Sequence, residues 1–223
     1  MRTKVLILVC SLVATGTYGQ AEKKEYLGIN ILQLPAFTLN LNYSKEINPR
    51  ITSLLDIGYT FNYVKAENID LPGWYLTMHL KKAYGDEGPW STYDVNKQSG
   101  GYLKVGGYFN FRKTLEKQHF FHLGIFLTNS VVYESATYSI LYPLTYPPYP
   151  VNHTIFIMGL NAAGGYEFTL AKRLKSDVDF QISLPDANYR DLYEYRNFIP
   201  GMGFKDNEYR WFPMLIWNLK YSL

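Results

Sequence analysis

The chain has 223 residues, of which 18% are charged and 17% aromatic, with a formal net charge of +3. So small a positive excess excludes a nucleic-acid partner, which calls for a clustered basic surface. A charged fraction below the usual ~25%, 21 tyrosines and a single cysteine exclude a disulfide scaffold and suit an ordinary soluble domain poorly.

Residues 1–19 have the three-part layout of a secretory signal peptide. Arg2 and Lys4 open it, an uncharged apolar run follows over 5–14, and Thr17 and Gly19 precede a cut after Gly19. The run is shorter than the ~20 residues a membrane-spanning helix needs. Cys10, the only cysteine, lies in this leader, so the remaining domain, 20–223, carries no disulfide, thiol nucleophile or thiolate metal site. Losing Arg2 and Lys4 with the leader turns 22 basic residues against 19 acidic ones into 20 against 19.

Beyond the leader no apolar run is long enough for a membrane helix. Hydrophobicity alternates with period 2, which predicts strands near 26–34, 36–46, 51–63, 101–112, 119–133, 153–171, 176–184 and 209–222. In 36–46, Phe37, Leu39, Leu41 and Tyr43 alternate with Thr38, Asn40, Asn42 and Ser44. In 51–63, Leu55, Ile57, Tyr59, Phe61 and Tyr63 oppose Asp56, Gly58, Thr60 and Asn62. In 101–112, Leu103, Val105, Phe109 and Phe111 oppose Lys104, Gly106, Asn110 and Arg112. In 153–171, Phe156, Met158, Leu160, Tyr166 and Phe168 oppose Gly159, Asn161, Gly165, Glu167 and Thr169. In 176–184, Val178, Phe180, Ile182 and Leu184 oppose Asp177, Asp179, Gln181 and Ser183. Pro35 cannot donate to a ladder, so it marks either a hairpin between the first two strands or a bulge in one long strand. Short charged connections near 46–50, 113–118 and 171–177 alternate with long ones at 64–100, 134–152 and 185–208, which are rich in Tyr, Pro and Gly. Tight turns on one side and long loops on the other are the layout of an outer-membrane barrel.

The last strand, "RWFPMLIWNLKYSL", sends Trp211, Leu215, Trp217, Leu219, Tyr221 and Leu223 one way and Asn218, Lys220 and Ser222 the other. Phe212, Met214 and Ile216 make its first half apolar on both faces. This ending resembles the terminal strand of outer-membrane barrels, although Leu223 stands where Phe is usual. Over its mature length the chain resembles the small, about eight-stranded outer-membrane β-barrels of Gram-negative bacteria. The resemblance implies an all-β fold, an antiparallel up-and-down transmembrane barrel with long loops on one side. It also implies residence in the bacterial outer membrane after export, with outer-membrane lipid and the barrel-insertion machinery as partners.

Strand parity places Asp56, Lys104, Arg112, His122, Glu167, Asp179 and Lys220 on the inner face, as a polar network filling a lumen just wide enough for side chains. Buried charges must pair. His119 and His122 are three apart and so fall on opposite faces of a strand. No metal-ligand spacing appears, and neither a metal nor a cofactor is expected. The function expected is structural or surface interaction through the long loops, where 71–93 and 138–150 concentrate Trp, Tyr and Pro. Two alternatives remain. The first is a lipid-modifying enzyme using His79 or His153 with Ser130 or Ser135, although no G-x-S-x-G is present. The second is a secreted lipocalin-like binder, with the apolar face turned inward around a small ligand.

Overall fold

The computed structural model describes residues 24–34, 38–61, 91–114, 119–140, 147–186, 198–204 and 212–223. Its strands are β1 (Glu25–Asn30), β2 (Thr38–Asn48), β3 (Ile51–Thr60), β4 (Ser91–Asn110), β5 (Phe120–Ile140), β6 (Tyr149–Ala171), β7 (Leu174–Pro185), β8 (Phe198–Ile199), β9 (Gly203–Phe204) and β10 (Phe212–Ser222). Eight of them close an antiparallel barrel in the order β1-β10-β7-β6-β5-β4-β3-β2, while β8 and β9 pair only with each other. Each barrel strand is therefore followed around the wall by its sequence neighbour, and β10 closes on β1. Period 2 decides this, because alternate side chains of a strand meet different media. The turn between β2 and β3 is set locally: Asn48 Oδ1 accepts the backbone N–H groups of Arg50 and Ile51, both at 2.9 Å, an Asx turn.

The apolar face looks outward on all eight barrel strands. Exposed side chains include Leu27 on β1, Leu39 on β2, Ile57 on β3, Leu103 on β4, Ile125 on β5, Phe156 on β6, Phe180 on β7 and Trp217 on β10. Phe156 is 78% exposed and Ile125 67%, values that water-facing packing would not leave on so many neighbouring strands. Asp56, Lys104 and Glu167 are buried within. A lipocalin-like arrangement would reverse both faces, so that expectation is corrected: the interior is polar and the greasy side chains surround it.

Strand lengths depart from the expectation in one sector. β4, β5 and β6 run 20, 21 and 23 residues, about twice the 9–11 that cross a bilayer. Among the described residues, ladder pairing of β3 with β4 reaches Thr60↔Gly100 and that of β6 with β7 reaches Gly159↔Pro185, while β4–β5 continues to Ser91↔Ile140 and β5–β6 to Tyr138↔Tyr149. Among the described residues, β4, β5 and β6 thus extend as a three-stranded sheet past the ends of β3 and β7. Most of the long linker expected at 134–152 is strand, and so is the end of the one expected at 64–100. The Tyr and Pro density that reads as a loop is compatible with a strand because Pro150 lies at an edge. Met158 accepts from Asp186 N–H on the β7 side, and Pro150 has the same parity, so its missing N–H faces no described strand.

β1 is the short member. It pairs with β2 only over Glu25–Gly28 and with β10 only over Tyr26–Asn30. A single 3-10 turn, Ile31–Gln33, then bends inward and buries Gln33. β1 and β2 are separate strands, which makes the count eight; Pro35 itself lies outside the described residues. Above Asn30 side-chain amides bridge the wall. Asn30 Oδ1 accepts from Trp217 N–H at 3.2 Å, Asn40 Oδ1 accepts from Asn30 N–H at 2.7 Å, and Asn42 Nδ2 donates to Asn218 Oδ1 at 3.1 Å. Pro213 shares the parity of Trp217, so its nitrogen faces this seam and forfeits no ladder bond.

Candidate functional site

The lumen is the one place where the topology gathers chemistry-bearing groups among the described residues, and all seven residues expected there are inside and buried. They fall into two clusters. Near the tight turns, Lys220 Nζ lies 3.2 Å from Glu167 Oε2 and 3.1 Å from Asp177 Oδ2. Lys175 Nζ reaches Glu167 at 2.9 Å and Glu46 at 3.1 Å. Arg112 pairs with Glu46 at 2.9 Å, donates from Nε to the Pro49 carbonyl at 2.9 Å, and stacks on the Phe120 ring at 4.2 Å. His122 Nε2 bonds Asp179 Oδ1, and Tyr108 donates to Asp179 Oδ2 at 2.8 Å. Further up, Asp56 accepts from Tyr102 and from Asn40 Nδ2, both at 3.1 Å, and lies 3.8 Å from Lys104, which donates to Gln181 at 2.9 Å.

Sequence reasoning does not single out the partners Glu46, Lys175, Asp177, Tyr26, Tyr102, Tyr108 and Gln181. It places Asp177 and Gln181 on the inner face, without a role. Glu46 ends a predicted strand and Lys175 precedes one, so both read as rim charges. Tyr102 and Tyr108 have inward parity, but aromatic residues in such a chain read as girdle. A usable signal is the cross-strand glycine: Tyr102 is registered opposite Gly58, and a Cβ there would strike the Tyr102 hydroxyl at 2.9 Å. Small-opposite-large pairs of this kind fill narrow barrels.

The upper lumen adds an apolar cluster to the polar lining. β8 and β9 form a small hairpin whose tip, Ile199-Pro200-Gly201-Met202, enters the barrel. Ile199 and Met202 are fully buried and pack with Val132, Ile157 and Phe212. The tip closes with Met202 N–H to Ile199 O at 3.0 Å and Gly201 at φ +76°, a turn that needs glycine at its third position. Its carbonyls are received by lumen side chains: Gln181 Nε2 donates to Gly201 O at 3.2 Å, and Ser183 Oγ to Met202 O at 2.7 Å. The inward Phe212, Met214 and Ile216, which break the alternation of the last strand, therefore face this apolar tip and Leu32. Between the two zones remains a cavity of about 10 Å³ lined by Asn42, Asp56, Lys104, Tyr108 and Gln181, roughly the room of one water.

His119 is exposed and His122 buried, on opposite faces as expected. His122, Asp177 and Asp179 bring ligand-type atoms within 4.8 Å of one another, the donor set a divalent cation would use. Within that set His122 Nε2 is hydrogen-bonded to Asp179, and Lys220 Nζ lies 3.1 Å from Asp177. Ser130 faces the lumen and donates to the Gly101 carbonyl at 3.4 Å, with no base beside it among the described residues. His79 and the side chain of His153 lie outside the described residues, as do residues 62–90 and Trp211.

No family model matches the sequence, and no curated protein matches it. Among solved structures the chain is similar to a major outer membrane protein from Thermus thermophilus, at 12% identity over 91% of this chain and 100% of that one, with a TM-score of 0.46. It is also similar to Ail, the attachment invasion locus protein of Yersinia pestis (10% identity, 90% and 97% covered, TM-score 0.40), and to Neisserial surface protein A (8%, 90% and 91%, 0.37). Similarity this distant leaves function to be argued from the chain's own geometry.

Proposed function

We propose that this chain is a bacterial outer-membrane barrel, exported by the leader 1–19, with a closed lumen and a surface-interaction role carried by its projecting sheet and loops. The observation that carries the reading is the apolar belt on all eight strands around a charged, filled interior. Hydrocarbon is the medium that stabilises that arrangement, since a barrel leaves no backbone edge to satisfy. The tight turns then lie on the periplasmic side and the extensions of β4, β5 and β6 on the cell exterior. A lumen packed with ion pairs and sealed by its own hairpin leaves the projecting sheet as the working surface. Its rigid backbone presents Tyr133 and Tyr149, both exposed, and tyrosine covers contact area at low entropy cost.

Envelope fractionation and gel mobility with and without boiling test the membrane assignment. Expected is an outer-membrane protein whose unboiled form migrates differently from its boiled form; recovery in the soluble periplasm would overturn it. For the surface role, cells expressing a variant that lacks residues 133–150 should lose adherence while keeping the heat-dependent mobility shift. Unchanged adherence would confine the protein to a structural role.

A further inference from the structure

Among the described residues, the fully exposed charged side chains at the tight-turn end of the barrel are cationic. Lys24, Arg50, Lys113, Lys172 and Arg173 are all exposed there. The half-exposed side-chain carboxylate described at that end, Glu25, is taken by Lys45; Glu46 and Glu167 point into the lumen. Three of these cations sit on backbone tied to neighbouring strands. Lys24 O accepts from Glu46 N–H at 2.9 Å, Arg50 O from Asn110 N–H at 2.7 Å, and Arg173 O from Ser222 N–H at 2.9 Å. They are also spread around the circumference, one or two at every tight turn and one at the start of β1.

Their depth is defined by the belt above them. Arg50 adjoins exposed Ile51, Lys113 lies two residues past Phe111, Lys172 two past Leu170, and Lys24 three before Leu27. At ~3.3 Å per residue this puts the charges roughly 3–10 Å beyond the apolar edge, the level of the headgroup layer, about 5–7 Å thick. Arg173 also donates to the Tyr221 hydroxyl at 3.3 Å, which joins the collar to the aromatic girdle.

Resting on the membrane reading above, we infer that this collar binds the phosphate head groups of anionic phospholipids in the leaflet at the tight-turn end. A ring of cations continuous with the lipid-facing belt matches an annulus of lipid. A macromolecule docking from one side would meet only part of it. Long cationic side chains at this depth keep their stems on the apolar edge and their charges at the phosphates.

The test reconstitutes the full-length mature barrel in vesicles of mixed phosphatidylglycerol and phosphatidylcholine, then counts the lipids retained after detergent extraction by native mass spectrometry. Wild type is expected to retain phosphatidylglycerol in preference. Each of R50Q, K113Q, K172Q and R173Q should lower that preference by up to about five-fold, and raised salt should weaken it. These positions lie in turns outside the ladders, and the heat-dependent mobility shift reports folding. If the quadruple variant does not fold, K113Q and K172Q alone decide the matter. Retention in the vesicles' own proportions, or unchanged preference in folded variants, overturns the inference. So does collar-dependent binding to isolated peptidoglycan without lipid preference. A protein that fractionates as soluble overturns the membrane reading instead, and separately.

Discussion

Lys220 shows what a buried residue is asked to do here. It is 2% exposed between Asp177 and Glu167; Glu167 keeps Lys175, so removing the Lys220 charge strands the Asp177 carboxylate in a medium that penalises it. Lys220→Met should destabilise the barrel by about 3–5 kcal/mol, read as a lower urea midpoint for the mobility-shifted form. Lys220→Met combined with Asp177→Asn should be less damaging than the single change, because the stranded charge goes too. Gly201 makes a different demand. At φ +76° an L side chain costs about 1–2 kcal/mol, and a Cβ would strike the Tyr102 ring at 2.6 Å. Gly201→Ala is expected to expel the hairpin tip, so hydrogen exchange should rise over 198–204 while the barrel ladders stay protected.

At the scale of elements, β1 and the lipid face carry the predictions. The wall above Asn30 depends on amide side chains, and Asn30 serves both neighbours: its N–H donates to Asn40, and its Oδ1 accepts from Trp217 and from Leu32. Asn30→Ala removes Oδ1, leaves the Trp217 and Leu32 N–H groups without that acceptor and should cost about 1–3 kcal/mol, with faster exchange of the Trp217 amide. On the outer face, depth sets the penalty. Ile57→Arg, in the middle of the belt, should cost about 2–4 kcal/mol, and Ile51→Arg, at the tight-turn end, about 0–1. Equal penalties at both sites in bilayer unfolding titrations would contradict the belt's position.

As a whole, the molecule is a closed wall around a full interior. Eight strands enclose only enough space for side chains, and here ion pairs fill the lower part and the Ile199–Met202 tip the upper. Planar-bilayer recordings should show no stepwise conductance; stable channel steps would mean that the hairpin or the ion pairs leave the lumen. The sequence by itself determined which face of each strand is greasy and that Asp56, Lys104, Arg112, His122, Glu167, Asp179 and Lys220 point inward. Both follow from period 2, a property of neighbours along the chain. The count of eight was decided by the structure, which separates β1 from β2 where Pro35 left a hairpin and a bulge both open. The tertiary structure alone decided that Glu46 meets Lys175 and that Lys104 meets Gln181, because those pairings depend on the stagger between distant strands. It alone decided that β4, β5 and β6 run on past the described ends of β3 and β7, since a strand continues as far as a partner pairs with it. It also decided that 198–204 turns inward: the doubly apolar start of β10 called for an inner apolar partner, but nothing local named which segment would supply it.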